Sequence, residues 1–162
     1  MRKFTVVLAL VCALFWLSGY SVMAQTNVDE ETPLEVQIAA NKYGAQYDVC
    51  PELIEAICYF ESRYTADIEN GSCKGIMQIN EPVQKERIEK LGVTDIYDLE
   101  GNILVGTDLL AELFAQYDDA GIVLGLYHGE KNAVIRGKSG NYSGYTKKIL
   151  EKSAELERLH GK

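Results

Sequence analysis

Positive charge is in short supply: 16 Lys and Arg stand against 24 Asp and Glu, a formal net charge of −8 over 162 residues. Phosphate backbones are held by a basic surplus, so no nucleic-acid partner is expected, and the acidity reads as an ordinary solvated surface. C-x-x-C pairs are also lacking, and the two histidines, His128 and His160, lie far along the chain from Cys50, Cys58 and Cys73. A metal site built on those ligands is therefore not expected, and no cofactor is called for. The sequence holds no internal repeat, no low-complexity run and no change of composition that marks a second domain.

Long apolar runs are confined to the start. Arg2 and Lys3 precede an almost unbroken apolar stretch over residues 4–17, followed by Ser18-Gly19-Tyr20-Ser21 and then Val22-Met23-Ala24. A basic start, an apolar middle and small residues before the cut are the parts of a secretory signal. Residues 1–24 are read as that signal, with an uncleaved anchor as the alternative. Residues 25–32 (QTNVDEET) form a polar, flexible lead-in, and residues 33–160 the folded part. That length suits one domain with one core, expected to be a monomer, exported to the cell envelope or beyond, with no membrane association of its own.

Cys12 leaves with the signal and three cysteines remain. Export makes a disulfide reasonable. Cys50 and Cys58 flank one expected helix, where eight residues at ~1.5 Å rise put them roughly 12 Å apart, beyond disulfide reach. Any internal bridge would then use Cys73, with either Cys50 or Cys58 as partner.

The periodicity is mostly that of helices. Pro33 opens a helix through Leu34, Ile38, Ala39 and Tyr43, ending around Gly44; Pro51 opens a second that runs to about Ser62. Residues 65–75 are loop-like, and residues 76–79 suit a strand or a buried extended turn. Pro82 begins a third helix that ends near Gly92. Residues 93–100 read as a connector, residues 102–117 as the clearest helix, with Asn102 as N-cap. Residues 120–128 make a short buried helix, residues 129–141 a glycine-containing loop, and residues 142–159 a last amphipathic helix. The expected class is mainly α, with a very small β element.

One acidic residue stands out. Ile54, Ile57, Cys58 and Glu61 fall at i, i+3, i+4 and i+7, one face of a helix. Glu61 thus continues an apolar stripe. A carboxyl there is partly desolvated, which disfavours its anion and raises its pKa, the condition a glycosidase needs in its proton donor.

The residues around it carry a resemblance. Glu61-Ser62-Arg63-Tyr64 followed by Gly75-Ile76-Met77-Gln78 resembles the E-S pair, loop and G-L-M-Q of the lysozyme-like lytic transglycosylases, with Ile76 in the place of Leu. Asn102-Ile103-Leu104-Val105-Gly106 is similar to the family's N-I-x-x-G, Tyr127 falls at the tyrosine of its Y-N-A-G, and Gly144-Tyr145-Thr146 resembles its late tyrosine motif. The resemblance spans about residues 34–150. It departs at Tyr127-His128-Gly129-Glu130, where only the tyrosine of Y-N-A-G is kept.

This resemblance implies a lysozyme-like α+β fold and, as substrate, the glycan strand of peptidoglycan. Glu61 would act as acid and then base in cleaving the β-1,4 bond between N-acetylmuramic acid and N-acetylglucosamine, leaving a 1,6-anhydro end. Ser62, Gly75, Met77, Gln78, Tyr127 and Tyr145 would line the substrate, Met77 as an apolar floor and Tyr127 with its hydroxyl on Glu61. A hydrolytic muramidase would need a second carboxylate to direct water, for which Asp67, Glu69 and Glu81 are the candidates. A non-catalytic peptidoglycan-binding or secretion-accessory protein on the same fold is the remaining alternative.

Overall fold

The computed structural model describes residues 31–162; the signal read in residues 1–24 and most of the lead-in lie outside the described residues. Thr32–Lys162 form one structural unit. Seven helices and a small sheet occur among the described residues: α1 (Leu34–Tyr47), α2 (Pro51–Ser62), β1 (Glu69–Asn70), β2 (Cys73–Lys74), β3 (Ile79–Asn80), α3 (Glu81–Leu91), α4 (Leu99–Phe114), α5 (Ala120–Tyr127), α6 (Ala133–Lys138) and α7 (Gly144–Leu159). The mainly helical class with a very small β element is what is found.

Helix α2 is the spine. Pro51 occupies its first turn, where a missing N–H costs nothing. Every residue from Glu52 to Cys58 is buried, because α1 packs on one side and α7 on another. Arg63 ends the helix in the left-handed region, returning its N–H to the carbonyls of Cys58 and Tyr59. Tyr64 follows with φ 60°, so the chain turns sharply as it leaves the helix.

Helix α1 runs one turn past Gly44 and is capped by left-handed Asp48, whose N–H bonds the Gly44 carbonyl. Its buried stripe is Val36, Ala39, Ala40 and Tyr43. Leu34 and Ile38, taken above as part of the apolar face, are 70% and 60% exposed. The stripe is rotated because the small Ala39 and Ala40 let α1 approach α2 and α4, and long side chains would hold it off.

The sheet is antiparallel in the order β1-β2-β3. Glu69 pairs with Lys74 and Asn70 with Cys73; on the other edge Cys73 pairs with Asn80 and Lys74 with Ile79. Residues 75–78 are therefore the turn between β2 and β3, and only Ile79 of the expected 76–79 piece becomes strand.

The start of α4 differs from expectation in an instructive way. Asp98, not Asn102, is the N-cap, accepting from Gly101 N at 2.7 Å, so part of the expected connector is helix. The Asn102 amide is buried and turned to a different use, described below. Asp119 and Ser143 cap α5 and α7 in the same manner as Asp98. Arg87 ties α3 to α4 through Asp108 and Glu112. The stretch expected to be a loop over residues 129–141 contains α6, a helix supported from outside. Ala133 seats against Gly125, and Ile122 against Gly137.

Among the described residues no disulfide joins the cysteines. Cys50, Cys58 and Cys73 are free thiols, which corrects the bridge expected for Cys73. Cys58 is 0% exposed inside the α2 stripe, Cys73 belongs to the sheet, and exposed Cys50 sits at the far end of α2, its thiol donating to Glu52 at 3.2 Å.

Candidate active site

Glu61 lies in the last turn of α2, half-buried, at the end of the fully buried Ile54, Ile57 and Cys58. The helical period puts it there: the face that carries the core also carries the carboxyl to the core's edge. Burial raises its pKa above the ordinary carboxylate value. A hydrogen bond from Tyr145 and the charge of a protonated His128 act in the opposite sense. A carboxyl so placed keeps its proton to higher pH than an exposed one, and the Tyr145 hydroxyl still stabilises its anion once the proton is given up.

The partner on Glu61 is Tyr145, whose hydroxyl donates to Oε1 at 2.5 Å from the first turn of α7. The Tyr145 phenol is raised, first by burial and then by the facing carboxylate, so it serves as a donor and does not ionise. Tyr127, expected to orient Glu61, points elsewhere: its hydroxyl donates to the Met77 carbonyl at 2.8 Å. That bond ties the end of α5 to the turn between β2 and β3. No spacing rule relates Tyr145 to a glutamate 84 positions earlier, so the sequence had no signal for this exchange of roles.

That turn is built from the G-I-M-Q stretch. Gly75 has φ 77°, and a Cβ on it would lie 2.1 Å from Asn102 Nδ2, so only glycine fits. The Asn102 amide threads the gap. Its Oδ1 accepts from Met77 N at 2.8 Å, and its Nδ2 donates to Lys74 O at 2.9 Å and Ile96 O at 2.8 Å. One buried side chain thus joins α4, the turn and the segment ahead of α4. The sequence signal was the Asn of N-I-x-x-G, but its use could not be read from a helix-cap rule.

Ser62 and Met77 face inward. The Ser62 hydroxyl sits 2.7 Å from Ile76 O and 3.0 Å from Cys58 O, donating to one of them at a time and holding the turn on α2. Met77 is 0% exposed. Gly106 of α4 makes room for it, since a Cβ there would be 2.4 Å from the Met77 sulfur. Met77 is accordingly core, not an open floor for a sugar. Gln78 is half-buried at φ 49°, with Nε2 donating to Gly75 O at 3.0 Å and Ile68 O at 3.3 Å. The turn that carries Gln78 is held on the end of α2 by the Ser62 hydroxyl.

Of the three candidates for a second carboxylate, two are paired with other groups. Glu69 accepts from the Tyr97 hydroxyl at 2.6 Å, Glu81 pairs with Lys74 at 2.6 Å, and Asp67 is exposed in the loop. None of them is hydrogen-bonded to Glu61 or Tyr145. Among the described residues, no group of His, Cys, Asp and Glu could hold a metal ion.

Residues 38–150 match the family described as the transglycosylase SLT domain. The chain belongs to the transglycosylase SLT domain family. Among curated proteins this SLT domain is similar to a "Transglycosylase" of Enterobacteria phage PRD1, with 34% identity over 109 residues, 66% of this chain and 40% of the relative. It is also similar to "Membrane-bound lytic murein transglycosylase F" of Desulfosudis oleivorans (strain DSM 6200 / JCM 39069 / Hxd3), with 32% identity over 85 residues, 52% of this chain and 17% of the relative. Among solved structures the SLT fold is matched by a 70-kDa soluble lytic transglycosylase in complex with bulgecin A. The TM-score is 0.67 and the identity 19%, over 81% of this chain and 25% of that one. The chain thus spans less than half the length of each of these proteins.

Within this SLT domain Tyr127-His128-Gly129-Glu130 lies at the end of α5. His128 is its exposed C-cap residue, and its ring lies flat on Tyr145 with centroids 3.8 Å apart and planes 15° apart. Glu130 is held by Arg136 at 3.6 Å.

Proposed function

We propose that this SLT domain cleaves the glycan strand of peptidoglycan as a lytic transglycosylase. Glu61, protonated, gives its proton to the oxygen linking N-acetylmuramic acid to N-acetylglucosamine as the C1–O bond breaks. The resulting Glu61 carboxylate takes the proton of the muramoyl 6-hydroxyl, whose oxygen closes on C1 to leave a 1,6-anhydro end. Glu61 finishes protonated, and no water enters. The substrate's own acetamido oxygen steadies the cationic centre. Tyr145 orients Glu61 and stabilises its anion between the two half-steps. Gln78 and the backbone around Gly75 contact the sugar, while Ser62, Met77 and Tyr127 hold the turn that presents them.

One observation carries this reading: a desolvated Glu61 at the end of α2, held by the Tyr145 hydroxyl, in a chain of the SLT domain family. A retaining or inverting hydrolase works with two carboxyls across the scissile bond; a reaction in which the substrate supplies its own nucleophile needs one. Peptidoglycan lies outside the cytoplasmic membrane, so the reading includes export to the cell envelope or beyond, directed by residues 1–24, with residues 33–160 as the folded domain.

The test is digestion of purified sacculi followed by mass spectrometry of the released muropeptides. Wild-type protein is expected to give 1,6-anhydro ends. Glu61→Gln keeps the size and the bond to Tyr145 but has no acidic proton, and is expected to lose ~10²–10⁴-fold in rate while remaining folded. Reducing ends in place of anhydro ends would assign a hydrolase, and wild-type rates from Glu61→Gln would remove Glu61 from the chemistry.

A further inference from the structure

His128, at the end of α5, stacks on Tyr145 of α7. His128 is exposed, and the tie between α5 and the β turn is the bond from Tyr127 to Met77. What the stack does is place a titratable ring on the face of the one phenol that donates to Glu61. Of the groups that face this carboxyl, Cys58 comes from α2, Cys73 from β2, Tyr127 from α5 and Tyr145 from α7. Burial is the first cause that raises each of these thiols and phenols, so all four stay neutral where the carboxyl titrates. Glu130 faces Tyr145 and is paired with Arg136. His128 is the single group in this set that can become a cation.

We propose that His128 is a positioning residue that tunes Glu61 through Tyr145: its imidazolium stabilises the Glu61 anion and so sets the upper pH at which the site still works as an acid. A cation over a phenol ring is held by the negative face of the ring and makes the phenol a better donor. It also attracts the Glu61 carboxylate through the same short path. Protonated His128 therefore favours ionised Glu61. The inference rests on the transglycosylase reading only in calling Glu61 the acid; the coupling itself belongs to the folded protein.

The sign follows directly. With His128 charged, Glu61 loses its proton at lower pH than it would alone. A residue at position 128 that keeps the ring stack but carries no charge leaves Glu61 protonated to higher pH. For charges separated by the thickness of a ring and a hydrogen bond at a partly solvated site, the change is roughly 0.5–1 pH unit.

The experiment compares wild type, His128→Phe and His128→Asn by two readouts. The first is the Glu61 carboxyl ¹³C titration by NMR in the absence of substrate, assigned with Glu61→Gln. The second is the pH profile of sacculus cleavage. Both variants are expected to raise the Glu61 midpoint and to move the alkaline limb of kcat/KM up by the same amount. Unchanged midpoints in both variants overturn the proposal. So does a uniform fall in rate with an unmoved limb, which is the mark of a purely packing role. If wild type cleaves no peptidoglycan, the functional reading fails while the NMR titration still decides the coupling.

Discussion

Asn102→Ala removes a side chain that makes three buried hydrogen bonds, at 2.8, 2.9 and 2.8 Å, to Met77 N, Lys74 O and Ile96 O. Asn102 is 0% exposed, and Gly75 stands against the amide so closely that its own Cβ could not be accommodated. The space vacated is small and enclosed by backbone. One donor and two acceptors are left behind, and each buried polar group without a partner costs ~1–3 kcal/mol. A water in the gap could serve some of them, which trims the total. The expected loss is about 3–5 kcal/mol, a large part of the ~5–15 kcal/mol that holds a domain together. Urea unfolding followed by circular dichroism measures it as a fall in midpoint at unchanged slope. Asn102→Asp is the sharper variant. It keeps the acceptor for Met77 N but turns a carboxylate oxygen toward two carbonyls, so its loss should equal or exceed that of alanine at neutral pH. Because those carbonyls raise the new carboxyl's folded pKa, the loss should shrink as the pH falls and a proton is restored. A loss below ~1 kcal/mol for Asn102→Ala would refute the claim that this amide holds the turn.

Two further outcomes are expected. Glu52 is 1% exposed. Burial works against its anion, but hydrogen bonds from Lys162, His160 and Cys50 outweigh that and lower its pKa from 4.5 to about 2. A depressed folded pKa adds stability above the unfolded value that is lost as the pH falls through the folded one. Unfolding stability should therefore decline between pH 4.5 and about 2, and Glu52→Gln should flatten that decline in denaturation curves taken across the range. The thiols should react in order of exposure: alkylation and peptide mass spectrometry should find Cys50 modified first, Cys73 more slowly and Cys58 only after unfolding. Since burial raises all three above the ordinary thiol value, reaction at neutral pH should be slow throughout, and a recovered disulfide-linked peptide among them would contradict the fold.

The sequence by itself determined the parts that local physics can write. The i, i+3, i+4, i+7 stripe placed Glu61 at the edge of the core, because a helix face is set by its own period. Pro51 announced a helix start through backbone geometry alone. Six motif residues, from Glu61-Ser62 through Gly75, Gln78 and Asn102 to Tyr145, named the neighbourhood without arranging it. The arrangement is tertiary. Nothing in spacing could say that Tyr145 and not Tyr127 reaches Glu61, since that depends on how α5 and α7 rotate against α2. Nor could it say that Met77 is consumed by the core against Gly106, or that Asn102 leaves the role of cap to Asp98 and bonds three backbone groups instead. His128 was a departure from a motif until packing laid it on Tyr145. Local sequence sets which residues share a face; which faces meet is decided by the total burial of the whole chain, a sum over distant residues that no single window contains.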